Sequence, residues 1–280
     1  MSTLDTARLF TSVVSVLYSS LQSYHQMFER KAAIFQLSDL PDLSGKVCVI
    51  TGGTAGLGLA SAVSLASKNA TVIISARNDD KGKIAVEQIK KRVNNPNATV
   101  SYGLMEQSNL KSVKQFAEWF VDLNLPLHVL LLNAGVALVA PNLIDGMESH
   151  FLINHVSHFY LCQLLLDKVK ASSPSRIVFV SSDAHKVVKS IPDWKMIAAK
   201  KYNDSLGESM KQYGHSKLAN IYTAIELSRR LADDHVWVNA IHPGAVASDI
   251  GKKVPFASTF IGKGVLKLLN TFLATPEMGH

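Results

Sequence analysis

The sequence predicts an α/β protein built on a single doubly wound parallel sheet of Rossmann type, with helices on both faces. Three observations lead there. From Lys46 onward, short runs rich in valine and isoleucine alternate with longer helical stretches, the order that a parallel sheet with crossover helices requires. Runs such as Val129 to Leu132 are apolar at consecutive positions, as in strands covered on both faces. A glycine-rich turn, "TGGTAGLG" from Thr51 to Gly58, falls where the first strand gives way to the first helix. Open parallel sheets bind ligands at that edge.

In chain order, residues 1–43 stand apart as an amphipathic or membrane-associating segment. Its "LFTSVVSVLYSSL" (9–21) is serine-rich and only about half the length of a spanning helix. Leu9, Val13, Val16, Leu17 and Leu21 recur at three or four residues, so a helix lying on a membrane or on the protein is as consistent as an anchor. Residues 44–280 carry the alternating pattern and are expected to fold as one domain, a dinucleotide-binding and catalytic one if the polar groups at its strand ends share a crevice. Strands are expected at 46–51, 71–76, 98–104, 127–133, 176–182 and 236–241, and helices at 56–68, 79–93, 109–123, 145–170 and 210–232. No repeat, low-complexity tract or linker divides this region. A last patterned segment, 254–274, mixes Phe256, Phe260, Ile261, Val265, Leu268, Leu269 and Phe272 with Lys263 and Lys267. It suits a helix that packs on the core, covers a lipophilic substrate or rests on a lipid surface.

Composition narrows the function. With 280 residues, 47% hydrophobic and 18% charged, the chain can bury a sizeable core in one or at most two domains. Cys48 and Cys162 each lie in an apolar segment, which implies core packing in a reducing compartment rather than a disulfide framework. The net charge of +7 favours anionic partners such as a phosphorylated cofactor or a lipid surface. Nucleic acid is disfavoured, because the basic residues are spread out and no basic block or zinc-finger spacing occurs. No metal site is expected.

The glycine-rich turn has the chemistry of a phosphate cradle. Gly52, Gly56 and Gly58 let the backbone approach a pyrophosphate, with Thr54, Ala55 and Leu57 between them, and the helix N-terminus adds roughly half a positive charge. NAD sites usually place Asp or Glu at the end of the second strand for the ribose hydroxyls. Here the strand ends in Ala76, followed by Arg77, which can grip a 2′-phosphate. NADP(H) is therefore preferred, with NAD(H) an alternative because Asp79 and Asp80 lie close by.

Further polar groups gather at the ends of later strands. "LLNAG" (131–135) ends the fourth, "VSS" (180–182) the fifth, and "HPGAVAS" (242–248) follows the sixth. "YGHSK" (213–217) puts Tyr213 and Lys217 one helical turn apart. Taken singly, these read as a turn, a loop start, a helix stop and a solvated helix face. Their shared sheet edge points to one crevice.

In type, order and position these motifs resemble the short-chain dehydrogenase/reductase family over roughly residues 44–280. "LINHVSHFYL" (152–161) is similar to the retinol dehydrogenase and WW-domain oxidoreductase branch. "TGGTAGLG", "LPLHVLLLNAGVA" and "ATPEMG" are similar to a member of that branch acting on polyprenoid alcohols and aldehydes. The resemblance implies an NADP-dependent oxidoreductase that interconverts a lipophilic alcohol and its aldehyde or ketone. Tyr213 would be the acid or base, and Lys217 would bind the nicotinamide ribose and lower the tyrosine pKa. Ser182 would hold the substrate oxygen, with Ser181 as its rival, and Asn154 would position a proton-relay water. Asn133, Ala134, Pro243 and Ser248, the last where the family usually has threonine, would line the cofactor site. Glu106 stands where an aspartate usually contacts adenine. A free phenol is about one part in a thousand ionised at pH 7, and a neighbouring cation can lower its pKa by about one to three units, which would bring base catalysis into range.

The residues from Asp183 to Met210 would wall the substrate pocket. A lipophilic small molecule, a membrane surface and a second copy in a homodimer are the implied partners. The implied location is the cytoplasmic side, with the endoplasmic reticulum membrane or another lipid surface. Leu132 replaces a frequent second asparagine. Family members usually continue past "TPE" into another helix and strand, whereas this sequence stops at His280, which leaves a shortened, inactive nucleotide-binding or interaction protein as the alternative.

Overall fold

Strands form where the β-branched and apolar runs lie. β1 is Val47–Ile50, β2 Thr71–Ala76, β3 Val100–Leu104 and β4 Val129–Leu132. Two short strands follow, β5 (Leu143–Ile144) and β6 (Met147–Glu148), then β7 (Ser175–Val180) and β8 (Val236–Ile241). The helices are α1 (Gly56–Ser67), α2 (Asp79–Val93), α3 (Leu110–Asp122), α4 (Ser149–Phe151), α5 (Ser157–Ala171) and α6 (Leu206–Arg230). A π-helical turn, Leu152–Val156, joins α4 to α5. These elements come from a computed structural model that describes residues 36–93, 95–137, 139–188, 202 and 205–244. Residues 9–21, Ser248, the segment 254–274 and much of the expected pocket wall lie outside the described residues.

The main sheet runs β3-β2-β1-β4-β7-β8 and every pairing in it is parallel. Strand order reverses between β1 and β4, opening a crevice at their carboxyl ends. Alternation along the strands divides the core in two. Val47, Val49, Leu130, Leu132, Ile177 and Phe179 face α3, α5 and α6. Cys48, Ile50, Val72 and Ile74 face α1 and α2. Both cysteines are free and buried, and burial pushes each thiol up to about 12, so they behave as small apolar side chains.

Two helix boundaries differ from expectation. The helix anticipated at 145–170 starts at Ser149, because Asp145 and Gly146 (φ 48° and 77°) turn the β5–β6 hairpin instead. A two-residue Asp-Gly loop is a strong hairpin signal. The Glu148 carboxylate then caps the new helix, accepting the N–H groups of His150 and Phe151 at 3.0 and 2.9 Å. The helix anticipated from 210 begins at Leu206, where the Ser205 hydroxyl accepts the Glu208 N–H at 3.2 Å. No helix among the described residues is long and apolar enough to cross a membrane.

Candidate active site

The glycine turn is braced by the end of β4. Gly52 and Gly56 have φ of 67° and 52°, which glycine adopts without steric cost. A Cβ on Gly52 would lie 2.9 Å from Ala134 Cα, and one on Gly58 would lie 2.4 Å from Gly52 O and 2.5 Å from Asn133 Nδ2. The Asn133 amide donates to Thr51 O at 3.0 Å, and the Thr51 hydroxyl oxygen accepts the N–H groups of Asn133 and Ala134 at 2.9 and 3.0 Å. Asn133 and Ala134 therefore form the floor of the cradle. At its mouth, α1 starts after Ala55, which supplies no side-chain cap. Orphan N–H groups over a cradle that side chains would fill fit a dinucleotide phosphate. Thr54, Ala55 and Leu57 are at least partly exposed around that terminus.

Arg77 follows β2 and is exposed. Of its acidic neighbours, Asp79 is engaged by β3, accepting the Tyr102 hydroxyl at 2.9 Å. Glu106 follows β3 on the same sheet edge, where its carboxylate accepts the Ser108 N–H at 3.1 Å. Pro243 and Gly244 (φ 78°) close the described chain just beyond β8.

Tyr213 and Lys217 project from α6 toward the carboxyl end of β7. Lys217 is buried, its ammonium donating to Val180 O at 2.7 Å and lying 5.6 Å from the Tyr213 ring centroid. Burial pushes its pKa down to about 8. The resemblance implied a lowered Tyr213 pKa, but the phenol lies above its ordinary value, because burial disfavours phenolate more than its hydrogen bond with Ser182 favours it. Tyr213 is thus held protonated.

Strand alternation separates the two serines. The Ser181 hydroxyl is buried and donates to Lys217 O at 2.9 Å, whereas Ser182 turns toward Tyr213 and accepts the Ala184 N–H at 3.2 Å.

Asn154 sits in the π-helical turn and is fully buried. Its Oδ1 accepts the Val136 N–H at 2.8 Å, and its Nδ2 donates to Val136 O at 2.9 Å and to Ser216 Oγ at 3.0 Å. Gly135 keeps the space between Asn154 and Lys217 open. A Cβ there would lie 3.1 Å from Asn154 Oδ1 and 3.7 Å from Lys217 Nζ. Thr51, His158, Ser216 and Asn220 belong to the same buried polar network, although sequence reasoning passed over them. Their available signal was a set of polar residues inside otherwise apolar periodicity, with His158 four residues after Asn154.

The short chain dehydrogenase family matches residues 46–202. Human (Homo sapiens) retinol dehydrogenase 12 is 38% identical over 248 residues, which cover 88% of this chain and 75% of that protein. The WW domain-containing oxidoreductase of Gallus gallus is 38% identical over 222 residues, covering 78% of this chain and 53% of that protein. The crystal structure of an uncharacterized protein from Mycobacterium Paratuberculosis aligns with a TM-score of 0.62 at 31% identity, covering 75% of this chain and 72% of that one. The chain belongs to the short chain dehydrogenase family.

Proposed function

We propose that, within this family, the chain is an NADP(H)-dependent oxidoreductase interconverting a lipophilic alcohol with its aldehyde or ketone, of retinoid, polyprenoid or steroid-like type. The observation that carries this reading is the convergence of Ser182, Tyr213 and Lys217 at the sheet edge that holds the glycine cradle. When bound, the nicotinamide supplies or takes up the hydride at the substrate carbon. In reduction, Tyr213 gives its phenolic proton to the carbonyl oxygen, and in oxidation it takes the hydroxyl proton back. Ser182 holds that oxygen, Lys217 binds the nicotinamide ribose, and Asn154 with Gly135 borders the space for a relay water.

Arg77, at the end of a strand lacking an acidic terminus, supports NADP(H) over NAD(H). The lipophilic substrate is supported by the name of the retinol dehydrogenase relative. A polyprenoid substrate rests on the motif resemblance alone. A lipid surface is supported by the patterning of 9–21 and 254–274, whereas cytoplasmic-side placement at the endoplasmic reticulum membrane or another lipid surface, and homodimerisation, rest on the resemblance.

The test is nucleotide-coupled turnover by the full chain on a panel of retinoid, polyprenoid and steroid-like aldehydes and ketones, with NADPH and NADH in parallel. Turnover with NADPH at least about tenfold more efficient than with NADH is expected, a difference of ~1.4 kcal/mol. Tight NADPH binding with no turnover on the aldehydes, the ketones and the corresponding alcohols would replace this reading with a nucleotide-binding or interaction protein.

A further inference from the structure

The carbonyl oxygen of Asn154 receives side-chain donors from two helices, His158 Nδ1 on α5 and Asn220 Nδ2 on α6, each at 3.1 Å. A carbonyl oxygen can only accept, so Nδ1 of His158 carries a proton. His158 is fully buried, and burial above all pushes its pKa down to about 3, leaving the ring neutral near pH 7. Its Nε2 is therefore a bare acceptor. The Thr51 hydroxyl, 2.9 Å away, must donate to it. The Thr51 oxygen remains free to accept the two β4-end N–H groups already described. On α6, Asn220 Oδ1 accepts from His155 Nδ1 at 3.0 Å. Every proton in the chain from β1 to α6 is thereby assigned.

We infer that His158 is a positioning residue, whose imidazole ties the strand end carrying the nucleotide cradle to the π-helical turn carrying Asn154. It touches neither nucleotide nor substrate. It acts through Asn154, whose amide clasps both backbone groups of Val136 and reaches Ser216, and the Ser216 hydroxyl donates to Tyr213 O at 2.7 Å. Loosening the Asn154 carbonyl shifts the β4 loop against the helix that bears Tyr213 and Lys217. A misplacement of about 1 Å in such a site can cost on the order of 10²-fold in rate. The nucleotide cradle keeps its own brace, because Thr51 still accepts Asn133 and Ala134. The kinetic role rests on the oxidoreductase reading above, whereas the proton arrangement does not.

The test combines two readouts on the full chain. In kinetics, His158→Phe removes both hydrogen bonds and keeps a ring, while His158→Asn keeps a donor at the δ position. His158→Phe is expected to lower kcat at least about tenfold per NADPH-binding site with KM for NADPH within about threefold, and His158→Asn to restore most of the loss. Normalising to binding sites removes any effect of a smaller folded fraction. In nitrogen-15 NMR of the histidine-labelled wild type at pH 7, His158 is expected as the Nδ1–H tautomer. That measurement, with His158→Asn, decides the matter if His158→Phe fails to fold. A kcat within about twofold of wild type in His158→Phe, or no better in His158→Asn than in His158→Phe, would overturn the positioning role. An Nε2–H tautomer would overturn the proton arrangement. Absence of turnover in the wild type would overturn the oxidoreductase reading and the kinetic role with it, and is distinct from either result.

Discussion

Replacing Lys217 by methionine should reveal what the buried ammonium costs the fold. Its side chain is 3% exposed and its pKa falls from 10.5 to about 8, with burial as the cause. Between those pH values the unfolded chain holds a proton that the folded chain does not, so wild-type stability rises with pH through the window. Below about pH 8 the full penalty is present. At 1.36 kcal/mol for each pH unit, it amounts to about 3 kcal/mol. Methionine carries no such penalty, but it abandons the Val180 carbonyl, a loss of roughly 1–3 kcal/mol that is common to all pH values. The constant loss drops out when the stability difference, variant minus wild type, is compared across pH. Urea unfolding is expected to give a difference about 3 kcal/mol larger at pH 7 than at pH 10.5. A difference constant to within about 1 kcal/mol across that range would refute a buried, strained ammonium and the reasoning from it.

Three other substitutions probe the rest of the site. Gly58→Ala drives a Cβ to 2.4 Å from Gly52 O and should weaken NADPH binding at least about tenfold in a fluorescence titration, an expected cost of ~1.4 kcal/mol; unchanged affinity would contradict the cradle. Ser182→Ala should lower kcat by about 10²-fold with little change in urea midpoint, whereas Ser181→Ala should cost roughly 1–3 kcal/mol of stability with kcat per folded site nearly unchanged; the reverse pattern would exchange the two roles. Arg77→Gln should lower kcat/KM for NADPH about 10- to 100-fold, the worth of a charge-assisted hydrogen bond, and that for NADH under about threefold; equal losses would remove Arg77 from cofactor selection.

Fold class was legible because strand burial on both faces leaves continuous apolar runs, as at Val47–Ile50, which is buried at every position, whereas Val129 and Leu131 in the run Val129–Leu132 are half-buried. What the periodicity concealed was local. The Asp145-Gly146 hairpin turn lay within a stretch whose apolar spacing also suited a helix, so Glu148 was overlooked as a cap. The capping pair Ser205 and Glu208 was present in the sequence but preceded the first strong helical periodicity. In the site, the resemblance of the motifs to the family brought Asn154, Ser182, Tyr213 and Lys217 into view. Chain order could not orient Ser181 and Ser182, because that depends on which face of β7 meets α6. His158 and Asn220 stood out only as polar residues inside apolar periodicity, because the partner they share is a backbone carbonyl in a π-helical turn, which the sequence does not display.

Proton transfer by Tyr213 is the central claim, and the most direct measurement is the rate of NADPH oxidation with a retinoid or polyprenoid aldehyde by wild type and Tyr213→Phe, alongside NADPH affinity for each. General acid catalysis contributes about 10²–10⁴-fold. The expected result is a fall in kcat of at least about 10²-fold with NADPH affinity within about threefold of wild type. Equal turnover by the two proteins would contradict the account.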